Sequence, residues 1–169
     1  MSLLTRLLAR GTVVLAQSAS KLQTLQMRLT AGEVNDDMEH FEPYGFTSNP
    51  LAGAEGIATF LGGDRSHAVV LVVADRRYRL QSLAAGEVAI YTDEGDRIHF
   101  KRGRVIDIET GTLNIRASTA VNIDTPTLTQ SGQIVSKGDQ VAGGISQIQH
   151  LHPGVQPGNG QTGAPVGGP

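Results

Sequence analysis

The chain has 169 residues, enough for one ordinary domain or for a small domain with an extension. Its 14 Lys and Arg stand against 16 Asp and Glu, a balance that gives no electrostatic grip on nucleic acid or on an acidic membrane face. There is no Cys, which excludes disulfides and thiolate metal sites.

In chain order, Leu3, Leu4, Leu7 and Leu8 form an apolar stripe interrupted by Arg6 and Arg10. The stripe is far too short to span a bilayer and reads as a short amphipathic helix over residues 1–9, ending before Gly11. No membrane span or cleaved signal is evident. Thr12 to Ala16 is a strand-like run, residues 17–20 read as a turn, and Leu25, Met27 and Leu29 alternate with polar residues as a half-buried strand, so the pair reads as a hairpin. Residues 31–56 are loop-rich. Ile57 to Leu61 is the next strand, Gly62-Gly63-Asp64 a turn, and Ala68 to Ala74 a continuous apolar strand suited to a closed or doubly covered sheet. Some five short strands with one long loop point to a small β-barrel of the OB type. Residues 86–91 and 97–100 then form a hairpin around Asp93-Glu94-Gly95-Asp96.

Past this hairpin the composition changes. All seven aromatic residues lie between Phe41 and Phe100, and none occurs after that. A core normally leans on large side chains, so residues 101–169 need another means of stabilisation. Residues 104–149 carry a short β-repeat: Ile106-Asp107-Ile108-Glu109-Thr110-Gly111, Leu113-Asn114-Ile115-Arg116-Ala117-Ser118 and Val121-Asn122-Ile123-Asp124-Thr125-Pro126. Each unit places aliphatic residues at i and i+2, which face one side of a strand. Side chains this small bury too little surface in one chain. Three intertwined chains would close the sheet and remove its edges, whereas hairpins packed on the barrel are the alternative.

The repeat leads to His150-Leu151-His152, after which residues 153–169 hold six Gly and four Pro. On a strand, His150 and His152 project to one face. One chain supplies two ligands. A threefold assembly supplies six imidazoles, a donor set for an octahedral first-row ion and a poor one for tetrahedral zinc. An exposed, unliganded pair is the competing reading. His40, His67 and His99 read as structural or solvated, and Asp36, Asp37 and Glu39 as a solvated loop that matches no calcium loop. No nucleophile elbow, phosphate-cradling loop or specific acid/base pair is present, so an enzyme is not expected.

The chain resembles the baseplate assembly proteins of Mu-like contractile-tailed phages, which form the central tail spike. The resemblance rests on residues 43–48 (Pro43 to Ser48), Gly53-Ala54-Glu55, residues 62–70, residues 86–99 and the terminal His150-Leu151-His152. It implies a homotrimer with an all-β fold: an N-terminal OB barrel, an intertwined trimeric β-helix and a metal-bound apex. It implies a hub-docking domain over residues 1–86, a connecting hairpin over 87–103, the triple-stranded β-helix over 104–148 and the apex over 149–169. It also implies one iron ion per trimer, held by His150 and His152 of all three chains. The partners so implied are a baseplate hub protein and, transiently, the host outer membrane, which the spike pierces on sheath contraction. No nucleic acid or small-molecule substrate is implied. The location is the virion, at the tip of the tail. The spike of a phage-tail-like bacteriocin or prophage particle has the same architecture. An OB-type nucleic-acid binder is the other class, and the charge balance speaks against it.

Overall fold

A computed structural model describes residues 7–154, 156 and 158–160 and divides the chain into two compact units, residues 1–115 and 116–169. The regular elements of the described residues are strands and two 3-10 turns, and no helix among them is long and apolar enough to cross a membrane.

The first unit holds a closed five-stranded barrel in the order β1-β2-β3-β5-β4. Its strands are β1 (Leu8–Gln17), β2 (Thr24–Arg28), β3 (Val34–His40), β4 (Glu55–Phe60) and β5 (Ala68–Ala74). β1 pairs antiparallel with both β2 and β4, while β3 meets β5 in parallel. A five-stranded barrel with this order fits the OB type. Alternation decides which side chains face in: Val13, Leu25, Met27, Met38, Phe60 and Val70 are fully buried and form the core. Gly11 also belongs to that inner face, because a Cβ there would lie 2.5 Å from the Arg28 carbonyl oxygen and 2.8 Å from the Leu29 side chain. The missing side chain is what lets β1 lie close to the end of β2.

Two local expectations change. The helix expected over residues 1–9 gives way at its end, because Leu8 and Ala9 already belong to β1 and pair with Thr59 and Ala58 of β4. Residues 1–6 lie outside the described residues. An apolar stripe at helical spacing is outweighed here by the free edge of β4, which offers ladder hydrogen bonds to any extended neighbour. The loop-rich stretch 31–56 contains the strand β3. Its sequence, Val-Asn-Asp-Asp-Met-Glu-His, hides the alternation, since only Met38 and His40 are buried and the pairing with β2 slips at a bulge. Asp37 sits in that irregularity at φ 51, a region Asp tolerates better than most residues.

His40 stands where the barrel closes. β3 and β5 share only Glu39↔Val69 and His40↔Val70. The buried imidazole places Nδ1 3.0 Å from Gln23 Oε1, and Gln23 Nε2 donates to the Ser48 carbonyl at 2.8 Å. This chain of bonds ties β2, β3 and the loop after β3 together. In that loop Glu42 accepts from Ser48 N, Ser48 Oγ and Thr47 Oγ1, bonds that outweigh its partial burial and hold its carboxyl below the usual range.

A second sheet lies in the same unit. It is three-stranded, β6 (Val88–Tyr91), β7 (Arg97–Lys101) and β8 (Val105–Glu109), in that order and antiparallel. The expected turn at residues 93–96 is present, with Gly95 at φ 96. The first repeat unit is thus a true strand, with a neighbour supplied by its own chain.

Burial lowers the pKa of His40, and the nearby Glu42 charge offsets this only partly. A lowered His value means that the unfolded chain takes up the proton first. Barrel stability should therefore be level above the ordinary value of 6.5 and fall as pH drops below it, until the lowered folded value is passed. Urea unfolding at pH 7.5 and 5.5 measures the slope, and His40→Gln should flatten it.

Candidate metal centre

In the second unit the chain carries one regular hairpin among the described residues, β9 (Val141–Ala142) with β10 (Ile145–Ser146). Gly143 and Gly144 have φ 58 and 83, the conformation of a two-residue turn that glycine adopts without steric cost. Hydrogen bonds tie the hairpin to its flanking residues. Gln147 N donates to the Gln140 carbonyl at 2.9 Å, and Gln149 N donates to Ser146 Oγ at 2.8 Å. Ile148 N donates to Asp139 Oδ1 at 3.1 Å. The Asp139 carboxyl lies below its usual range because the Ser146 hydroxyl bonds it, with the amides of Ile148, Gln140 and Gln147 adding to the effect.

This framework presents the two histidines. His150 Nδ1 lies 2.9 Å from the Ser146 carbonyl oxygen, so Nδ1–H donates and Nε2 keeps a free lone pair. That is how metal-binding imidazoles are oriented: the backbone bond fixes both ring and tautomer. The rings of His150 and His152 lie edge to face, 5.0 Å between centroids, and both are exposed. Among the described residues no group of three or more His, Cys, Asp or Glu side chains assembles. One chain therefore offers two adjacent imidazole nitrogens and no third ligand among those residues. Two imidazoles alone fall short of a complete ligand set for a first-row ion.

Asp139 and Ser146 do not stand out as site residues in the sequence. A signal was nonetheless available: Asp139 is the last acid of the chain, ahead of a Gly-Gly turn. The other histidines are placed elsewhere. His40 is in the barrel closure, and His67 is exposed beside β5. His99 Nε2 lies 3.1 Å from Glu87 Oε2, the nearest approach to an acid/base pair in the first unit. Glu87, however, also accepts the amides of Ala84 and Arg102, each at 3.0 Å, and so serves as a brace between two turns. Asp36, Asp37 and Glu39 lie on β3 rather than in a loop.

Four arginines on or beside the barrel are bonded to carboxylates. Arg10 and Arg76 share Glu55, Arg65 bonds Glu33, and Arg77 bonds Asp75. These carboxylates offset part of the basic charge that a groove tracking a nucleic-acid backbone would need.

A small OB-type barrel, a short sheet, an aliphatic repeat without large side chains and a terminal pair of presented imidazoles define a modular, all-β structural protein. Residues 10–77 match the family described as Bacteriophage Mu Gp45, N-terminal, and residues 144–166, which include both histidines, match the GpV Apex motif. The chain is 34% identical over 166 residues to the "Baseplate puncturing device gp45" of Escherichia phage Mu, covering 88% of this chain and 84% of that protein. It is 37% identical over 158 residues to the "Mu-like prophage FluMu protein gp45" of Haemophilus influenzae, covering 86% of each. The chain belongs to the Mu gp45 family of baseplate proteins.

Asp139 holds the turn that sets up His150, and its lowered pKa makes that bond pH-dependent. A depressed carboxyl contributes above its unfolded value, here 3.8, and loses the contribution as pH falls through the lower folded value. The amide signal of Ile148 in NMR spectra should hold steady above pH 4.5, shift below 3.8, and start from the shifted position in Asp139→Ala.

Proposed function

We propose that this protein is the central spike of a contractile tail baseplate, sited at the tail tip of the virion, and that it punctures the host outer membrane when the sheath contracts. The observation that carries this reading is the alignment, over most of both chains, with a baseplate puncturing device, together with an apex match that contains His150 and His152.

In this reading three copies assemble. Residues 1–86 dock the barrel on a baseplate hub protein, residues 87–103 connect, residues 104–148 wind into a triple-stranded β-helix, and residues 149–169 form the apex. Support for three chains comes from the repeat. Leu113, Ile115, Val121 and Ile123 are each more than half exposed in a single copy, and Leu128, Ile134 and Val135 are also largely exposed. Monomeric proteins do not leave so long a row of aliphatic side chains in water. A ladder shared among three strands covers the row and pairs the backbone.

His150 and His152 of the three chains would hold one iron ion with six nitrogen donors. When bound, the metal supplies cross-linking strength at the point where three glycine-rich ends meet, since ligand bonds outlast the packing of small side chains. The chain's own part is to fix the ring of His150 through the Ser146 carbonyl and to keep the turn closed through Asp139. Beyond Asp139 no Asp, Glu, Lys or Arg occurs, which lowers the cost of entering lipid.

The work is mechanical, without a catalytic step, a nucleic-acid ligand or a small-molecule substrate. Glu55 is held by two guanidiniums and Glu87 by two amides, so neither carboxylate stands ready as a general base. The prophage name of the Haemophilus relative favours a second setting for the same device, a prophage-encoded or bacteriocin-like particle.

Sedimentation with metal analysis tests the assembly. The purified full chain should sediment at three times 17.8 kDa and carry one metal ion per three chains. The double variant His150→Ala/His152→Ala should keep its mass and lose the metal. A monomer with one metal per chain would refute the reading.

A further inference from the structure

Between Thr110 and Ser136 the chain has only two charged residues, Arg116 and Asp124. They occupy the same position of successive repeat units, four places into Leu113-Asn114-Ile115-Arg116 and into Val121-Asn122-Ile123-Asp124. The unit before them has Glu109 at this place, so the column runs acid, base, acid.

The structure shows what the position does when a neighbouring strand is present. Glu109 lies opposite Arg97 in the β7–β8 ladder, and the two side chains form an ion pair. Opposite charges placed directly across a ladder stabilise it, and like charges weaken it. The two later units have no such neighbour among the described residues of the chain. Residues 113–118 and 121–126 form no assigned strand, both charges are exposed, and neither makes an ion pair among the described residues.

We propose that Arg116 of each copy pairs with Asp124 of the next copy around the threefold axis, and that this pair sets the stagger of the β-helix at one repeat unit. The proposal rests on the three-chain reading under "Proposed function". In a cyclic trimer each copy offers two different patches to its neighbours, so an i-to-j contact between unlike residues closes the ring without a special partner. A flush alignment would stack Arg116 on Arg116 and Asp124 on Asp124, which is repulsive in every layer. A slip of one unit converts each contact into an attraction. The aliphatic positions cannot make this choice, because Leu113 and Val121, and Ile115 and Ile123, are nearly interchangeable between units. The register of a strand pair is weakly specified where its pattern repeats, and a single polar contact is enough to fix it.

The absence of native Cys allows a direct test in the full chain. Arg116→Cys/Asp124→Cys, oxidised after assembly, should run as a covalent trimer on a non-reducing denaturing gel, because every copy is linked to two neighbours. Each single Cys variant should remain uncrosslinked. Crosslinking of the single variants would show flush alignment, and a double variant that closes within one chain would show an intramolecular contact; either result overturns the stagger. Charge reversal gives an independent reading for variants that resist oxidation. Arg116→Asp and Asp124→Arg should each speed trimer dissociation in urea by about tenfold, with three pairs lost per assembly, and the swapped double variant should restore the rate. Singles that dissociate like the parent overturn the pair while leaving the trimer in place. A parent chain that sediments as a monomer overturns both readings at once.

Discussion

A shortage of bulk governs the latter half of this chain. From Lys101 onward the chain has no aromatic residue, and its aliphatic side chains from Leu113 to Ile148 stand exposed in a single copy. Burying one such side chain is worth about 1.5–3 kcal/mol, and fixing one residue's backbone costs about 1–2 kcal/mol. A segment in which only every second or third residue is aliphatic cannot offset its own ordering by folding on itself. It needs surface from outside itself, and in the proposed assembly a second and third copy would supply surface of matching period.

The barrel meets the opposite condition. It has Phe60, Leu25 and two methionines to fill a closed interior, and several of its charges are bonded to opposite ones at the surface. Its closure between β3 and β5 is short, and the buried pair His40–Gln23 reinforces that seam. The chain thus combines a barrel that fills its own interior with a repeat whose aliphatic side chains a single copy leaves exposed. At its far end the hairpin of β9 and β10, tied by Asp139, fixes the ring of His150 through the Ser146 carbonyl. A mechanical device benefits from this division. In the spike proposed above, force would enter through the barrel and be borne by many small, repeated contacts.

Much of this was legible in the residues. The alternation of β2, the apolar run of β5 and the turn at residues 93–96 each carry a signal that admits one reading, while the repeat left both an intertwined trimer and hairpins packed on the barrel open. The His-x-His pair was visible as well, because spacing alone puts both rings on one side of an extended chain. β3 was not legible. Four of its seven residues are acidic or amide, Asp37 breaks the alternation at a bulge, and only Met38 and His40 mark the inward face. The start of β1 was misread because Leu7 and Leu8 complete a helical stripe, while the partner strand that recruits Leu8 lies about fifty residues further along the chain. The bracing of His150 by Ser146 was hidden for a similar reason. A carbonyl acceptor has no side-chain signature, and it is placed by the turn at Gly143-Gly144 that folds β10 back on β9.

Amide hydrogen exchange reads the backbone of the repeat residue by residue. In the full chain, at a concentration where it is assembled, the amides of residues 113–135 should exchange as slowly as those of β2 and β5, because a ladder between copies satisfies them. Exchange of those amides at the rate of an unfolded peptide, while β2 and β5 stay protected, would contradict the account.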